Sequence, residues 1–478
     1  VTPTDRQRTI QDTDRSSVTF KDRLTMLLGI ITCSIAILYL VHVFVPSIWL
    51  ERVYSLLTII LLVFGVFSVR KGNQIAVILL LIGGFLIFLM YRIDPWVVIE
   101  GFGQNINLLT LFFVVPLIGI VISAGGYLTA LKYKLMQLQQ GKEAHPYRWS
   151  ALLTASMGLI LNLGSLPLIY RIAQESFPSF EQKKMGVVLL RAFTFCMFWS
   201  PYFVNVGLIL VLFDLSWVEV GWVGLLLAIA YSVLATVFFK RIQFHEDSFS
   251  RAPMDKASYN EMDISRKIKS LAIWASVLII LSFTFDMLTE LSMLTVVSLM
   301  AVFYPLAWAI RIGILQDFIH SVVEYIKGSF TRLKNEVVVF ISAGFFGMAI
   351  SYTNVGEIIS TLIYRFSFEM TYLLALLIIV FTVTLAAIGI HPIIVVVGIG
   401  SSLEPSVLGV SPVFLAANLL MAWGLATSLS PFSGSILMVS SITDESPWTI
   451  ARQNLSFNLV CLLVLPLLLY SLHRIGII

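Results

Sequence analysis

Apolar residues in this chain come in runs of about twenty, divided by short polar stretches, over almost its whole length. A helical run of roughly 20 apolar residues crosses a hydrocarbon core of about 30 Å. Eleven runs meet that requirement and are expected to be transmembrane helices: 24–45, 53–69, 74–91, 107–130, 185–213, 221–239, 270–287, 292–310, 336–352, 410–440 and 453–472. Two further apolar stretches, 150–172 and 371–402, are interrupted. Asn162-Leu163-Gly164-Ser165-Leu166-Pro167 divides the first and Gly389-Ile390-His391-Pro392 the second. Both are expected to be re-entrant hairpins that dip into the bilayer and return to their own side. Segment 313–335 has a different pattern, in which Phe318, Val322, Val323, Ile326 and Phe330 share helical spacing with Asp317, Glu324, Lys327 and Lys334. That mixture predicts an amphipathic helix on the membrane surface.

Composition removes the alternatives. Residues of the set AVILMFWYC make up 58% of the 478, only 12% are charged, and the mean hydropathy is +0.93. A soluble domain carries about 25% charged residues, so a soluble enzyme, a nucleic-acid binder and a disordered chain are excluded. The expected fold is an all-α polytopic membrane protein of about 11 transmembrane helices and two re-entrant hairpins. Cys33, Cys196 and Cys461 fall singly in apolar runs, which suggests neither a disulfide framework nor a zinc site.

The net charge of +4 says little, but its distribution sets the orientation. Cytoplasmic loops collect Lys and Arg. With the N-terminus inside, 26 of the 31 basic residues fall on the cytoplasmic side; Arg52, Arg92, Arg365 and Arg474 fall outside, and Arg191 lies within a span. Making the first hairpin a full crossing inverts everything after it and destroys this bias. The N-terminus is therefore expected in the cytoplasm and the C-terminus outside, in the cell (inner or plasma) membrane. The polar tail is followed by a full-length span with no small-residue cleavage site, so no signal peptide is expected. The domain plan is a cytoplasmic tail 1–23, a first half 24–239 with the inward hairpin, a cytoplasmic linker 240–269 and a second half 270–478 with the outward hairpin.

The halves repeat one order of features. Gly164 and Pro167 mark the first hairpin, and Phe198-Trp199-Ser200-Pro201-Tyr202-Phe203-Val204-Asn205 follows in a span. Gly389 and Pro392 mark the second, and Ser428-Leu429-Ser430-Pro431-Phe432-Ser433-Gly434-Ser435 follows. The Gly-to-Pro spacing is three in both, and the Ser-Pro proline comes 34 residues after the hairpin proline in one half and 39 in the other. Since the hairpins belong to opposite sides, the halves are expected to be inverted repeats, a build of secondary transporters. A proline inside a helix removes a donor and frees a carbonyl, and in a bilayer such backbone persists only where protein covers it or a polar cavity receives it. Two matched breaks favour a solute or ion site over two plain kinks.

This order of features resembles the ion transporter superfamily, in particular its divalent anion/sodium symporter branch. The resemblance covers about 100–472 and rests on segments 157–172, 196–210, 383–402 and 424–441. Hairpin tips in that branch carry a Ser-Asn-Thr signature, whereas the tips here read Asn162-Leu163-Gly164-Ser165 and Gly389-Ile390-His391-Pro392. The resemblance implies a homodimer in which hairpins and broken helices move together past a fixed scaffold, an elevator motion.

The candidate substrate-binding residues are Asn162, Gly164, Ser165, Ser200, Asn205, Gly389, His391, Ser430, Ser433 and Ser435. The polar members offer neutral donors and acceptors; their ordinary alternative role is to satisfy freed backbone or join helices. Arg191, ten residues before Pro201, is either a snorkelling side chain or a charge beside the cavity. His391 is a candidate proton carrier, since imidazole titrates near about 6.5, with hairpin capping as the alternative. Gly83-Gly84 and Gly125-Gly126 are expected to allow close helix packing. His-Glu-x-x-His, Gly-x-x-x-x-Gly-Lys-Ser/Thr and Gly-x-Ser-x-Gly are all absent, so no enzyme activity is expected. Only His42 and His391 lie in membrane segments, too few for a metal site of histidines alone.

These features predict a secondary transporter for a small anionic solute, with Na+ or H+ as coupling ion, no other cofactor, membrane lipid as its surroundings and no nucleic-acid partner. A protein that flips or handles a lipid-linked envelope precursor is the alternative, and a scaffolding subunit of an envelope complex is a third reading.

Overall fold

A computed structural model describes residues 20–69, 71–138, 145–243, 248–250 and 261–478. Most of the expected tail 1–23, and residues 244–247 and 251–260 of the expected linker, lie outside the described residues.

Backbone amides cannot be left open in lipid, so the apolar runs become helices that bond internally. The first group is α1 (Phe20–Phe44), α2 (Ile48–Val66), α3 (Lys71–Met90), α4 (Pro95–Glu100), α5 (Ile106–Val114), α6 (Pro116–Ala124) and α7 (Tyr127–Leu138). The expected span 107–130 is thus several short helices. Asp94 caps α4 through the Trp96 N–H, Pro116 opens α6, and Gly126, at φ 69°, makes the turn into α7. Gly126 is a turn glycine, and the close-packing role expected for it is corrected.

Next come α8 (Pro146–Leu161), α9 (Ser165–Ser176), α10 (Gln182–Met197), α11 (Val204–Phe213) and α12 (Trp217–Phe239). Three residues join α8 to α9, with Asn162 in a positive-φ conformation at 52°. The chain folds back there: a methyl placed on Gly158 would lie 3.6 Å from Ser165 Oγ, although seven helical residues span about 10.5 Å. In the second half, α13 (Glu261–Leu288), α14 (Met293–Ile312) and α15 (Leu315–Ile350) precede α16 (Val355–Phe366) and α17 (Thr371–Ala387). The chain ends in α18 (Pro392–Gly400), α19 (Pro405–Leu408), α20 (Pro412–Leu429), α21 (Gly434–Thr443) and α22 (Pro447–Arg474). Gly389, at φ 102°, lies in the link between α17 and α18, and α18 packs back on α17. Two three-residue strands, β1 (Ser179–Glu181) and β2 (Ser248–Ser250), pair antiparallel.

Eleven segments among the described residues are long and apolar enough to cross a membrane. Ten of them overlap expected spans. The other is the folded pair α8–α9, Pro146–Ser176, while the expected span 185–213 is divided into two helices that are each too short alone. The fold is an all-α polytopic membrane protein.

Three sequence expectations are corrected. Segment 313–335 is not a separate surface helix but the first part of α15, which runs 36 residues, or about 54 Å. Tyr325 is buried and its hydroxyl donates to Phe113 O at 2.8 Å, deep among the helices. Its polar residues reflect a helix longer than the bilayer is thick. Second, α13 begins inside the expected linker and carries the span outward from 270 to 261. Third, α16 is a helix that the run pattern does not announce, and it meets α17 at 112°.

In one group, helices α1 to α3, α5, α6 and α14 pack around α15, and α13 packs on α14. A methyl on Gly84 would lie 2.6 Å from Phe345 Cε1, so α3 and α15 approach as only a glycine allows. Phe345 stacks on Phe102 with ring centroids 4.2 Å apart. The two hairpins and the two broken helices form the other group.

Candidate functional site

The site begins with two prolines. Pro201 has no N–H for the carbonyl four residues back, Met197 O, and Pro431 frees Thr427 O in the same way. Both carbonyls are recaptured by side chains. Asn205 Nδ2 donates to Met197 O at 2.6 Å, and Ser433 Oγ and Ser435 Oγ donate to Thr427 O at 2.6 and 2.9 Å. Ser200 and Ser430 reach the hairpins instead. Ser200 Oγ donates to Leu159 O at 3.5 Å, and Ser430 Oγ to Ala386 O at 2.6 Å. Each also accepts the N–H two residues on, that of Tyr202 or Phe432. Helices α11 and α21 both end on a left-handed aspartate, Asp214 or Asp444, and a capping serine follows, Ser216 or Ser446.

These equivalent positions lie 230 residues apart, and the two hairpin carbonyls 227 apart. The halves therefore share a bond pattern that no run of identical residues announces. They meet at equivalent residues as well: Thr427 Oγ1 lies 3.3 Å from Met197 Sδ.

A cavity of about 340 Å³ opens beside the second hairpin tip. The tip supplies Ile388, Gly389 and His391, and the second break supplies Phe432, Gly434 and Leu437. Asn73 of α3 and Asn335 and Glu336 of α15 close it from the opposite group. Asn335 Oδ1 is buried and makes no hydrogen bond among the described residues, a standing acceptor at the wall. His391 caps α18 by accepting the Ile393 N–H on Nδ1 at 3.2 Å, so its neutral ring carries the proton on Nε2. The first hairpin reaches the same break: a methyl on Gly434 would lie 3.5 Å from Leu163 Cδ2, and one on Gly389 would lie 3.6 Å from Phe432. Residues 432 and 434 are at most about 7 Å apart, so both tips converge on one Ser-Pro break.

Of the sequence candidates, Gly389 and His391 line the cavity. Ser430, Ser433 and Ser435 are buried beside it with their hydroxyls bonded to backbone. Ser200 and Asn205 are buried in the first break and do not line it. At the first tip, Asn162 Oδ1 accepts the Leu163 N–H, Ser165 Oγ donates to Asn162 O, and Gly164 is exposed. Arg191 is buried: Nε donates to Asn454 Oδ1 at 2.9 Å and the guanidinium sits 4.0 Å over the Phe457 ring. Asn454 in turn donates to Ser428 O, so Arg191 ties α10 to α22 and the second break.

The sequence reading missed Asn73, Asn335, Glu336 and Phe432 as cavity residues. It also missed Trp199, whose buried indole N–H has no hydrogen-bond partner among the described residues. The signal for Glu336 and Asn335 was a polar pair at the edge of an apolar run, read there as a boundary.

Fold and geometry together define a multi-pass, all-α membrane protein built on two equivalent broken-helix units. Among solved structures the chain is similar to the Alcanivorax borkumensis YdaH transporter, with 14% sequence identity and a TM-score of 0.61, over 84% of this chain and 98% of that one. At that identity the likeness is one of fold. No protein-family model matches the sequence, and no curated protein matches it.

Proposed function

We propose that the chain is a secondary active transporter of the cell membrane, moving a small anionic solute by elevator-type alternating access coupled to Na+ or H+. The observation that supports this most is the cavity in which one hairpin tip, one Ser-Pro break and the α3–α15 scaffold meet. A solute there touches both the group that would move and the group that would stay. In this reading the hairpins are re-entrant, the halves are inverted, the N-terminus is cytoplasmic, the C-terminus is outside and the unit is a homodimer. The solved YdaH transporter shares the fold, and the superfamily resemblance drawn from the hairpins and breaks agrees with it.

The lining offers a solute both neutral and ionisable contacts. Among the described residues, two amides, an imidazole and a carboxylate, that of Glu336, border the space. Arg191 does not line the cavity; it serves as a fixed charge between elements, and the freed carbonyls of the two breaks are already occupied. Glu336 and His391 are the ionisable groups at the cavity among the described residues, and coupling is assigned to them.

The test is uptake of a panel of small anions into proteoliposomes holding the purified protein, under sodium, proton or no gradient. Saturable uptake that needs one of the gradients is expected, and Glu336→Gln should retain binding while losing the cation dependence. No flux for any anion, together with transbilayer movement of a lipid-linked anion, would install the lipid-handling reading instead.

A further inference from the structure

A second cavity, of about 650 Å³, lies far from the hairpins in sequence, between the start of α13 and the end of α14. Its charged lining among the described residues is Arg266, Lys269 and Arg311. None of these three cations makes a salt bridge among the described residues. The rest of the wall is chiefly apolar, with Ile273, Trp274 and Ile312. Trp274 is held in place there, since its ring stacks on Trp308 with centroids 5.3 Å apart and its carbonyl accepts the Tyr304 hydroxyl.

Exposed cations at a helix end are ordinary wherever loops collect positive charge. What is not ordinary is that the cavity continues into apolar surface. Ile273 lines the cavity, and Val277 and Ile280 continue its face of α13; all three are exposed. Only 11% of the α13 span is buried, so this helix presents itself to lipid. This stripe leads along α13 away from the cations.

We infer that this cavity binds the headgroup of an anionic phospholipid, with the phosphate among Arg266, Lys269 and Arg311, the glycerol region at Trp274, and an acyl chain along the α13 stripe. Charge complementarity selects the headgroup, because three cations favour a net negative lipid over a zwitterionic one. The stripe selects a lipid over free phosphate, which would leave it uncovered. Tryptophan at this depth suits the boundary between headgroup and chains. By the distribution of basic residues this is the cytoplasmic leaflet. The inference is independent of the transport reading, because none of its residues lines the hairpin cavity.

The test uses the purified full chain, stripped of lipid in a neutral detergent, with binding followed by native mass spectrometry and by the thermal unfolding midpoint. Phosphatidylglycerol should bind and raise the midpoint, phosphatidylcholine should bind far more weakly, and inorganic phosphate at equal concentration should not protect. The combined substitution R266Q/K269Q/R311Q should lower phosphatidylglycerol affinity by about a hundredfold, and a control, K240Q/R241Q, should change it less than about twofold. The single variants Lys269→Gln and Arg311→Gln, each expected to lose about fivefold, carry the test if the triple variant does not fold. Equal binding of the two lipids, an unchanged affinity in the variants, or an equal loss in the control would overturn the proposal. Protection by phosphate as strong as by lipid would overturn it too, by making the ligand a soluble anion.

Discussion

At the scale of single residues, polar side chains inside this protein mostly serve its own backbone. Each Ser-Pro break frees one carbonyl, and the side chain eight residues after that carbonyl returns to close it: Asn205 for Met197, Ser435 for Thr427. The two halves are not equally insured, because Thr427 O also receives Ser433 Oγ, whereas Met197 O relies on Asn205. Asn205→Ala should therefore lower stability by about 1–3 kcal/mol, the cost of a buried acceptor left open. Ser435→Ala should cost less than about 1 kcal/mol. Thermal unfolding in detergent measures both, and equal losses would contradict the bond assignment. The candidate residues were legible in the sequence as a pattern, since Ser, Asn and Pro recur at matched places in two apolar runs. Their bonding was not, because whether a hydroxyl faces solute or backbone depends on a carbonyl in another helix, as Ser430 shows with Ala386.

At the scale of elements, apolar runs announce their own helices but not their junctions. The runs near 48–66, 217–239 and 293–312 needed only length to be read, and the glycine and proline of each hairpin gave its tip. Helix α15 was misread because its first half carries charges while packing inward, with Phe318, Tyr325 and Phe330 buried. Periodicity reports two faces; it does not say whether the polar face meets water or the end of an over-long helix. The α3–α15 contact supplies a sharp check on the packing. Gly84→Ala places a methyl 2.6 Å from Phe345, and should cost about 1–3 kcal/mol of strain. Gly347→Ala, in the same helix as Phe345 but with open space around it, should be neutral or stabilising by up to about 1 kcal/mol. Unfolding midpoints that fall together for both variants would show that the helices do not meet as described.

At the scale of the whole molecule, equivalence at an offset of 230 residues joins two halves whose residues rarely agree in type. The sequence showed the repeat through its punctuation, Ser-Pro and Gly-x-x-Pro, because breaks are set by backbone chemistry while lipid-facing positions accept any apolar side chain. It did not show the cavity, whose wall takes residues from α3, α15, the second tip and the second break, as far apart as Asn73 and Leu437. Inversion of the halves has a direct test in a chain with its three native cysteines replaced. Lys240→Cys should label from the cytoplasmic side only and Ser406→Cys from outside only, both positions being exposed; labelling from one side would refute the two-hairpin topology. The central claim is that the cavity at the second tip is where solute passes, and Gly434→Phe tests it most directly. Position 434 lines the cavity and has room for a Cβ, with its nearest neighbour, Leu163 Cδ2, at 3.5 Å, so a larger side chain fills the space without displacing backbone. In proteoliposomes the variant should keep its unfolding midpoint and lose gradient-driven anion uptake. Uptake at the rate of the unsubstituted protein, with the phenylalanine in place, would contradict the account.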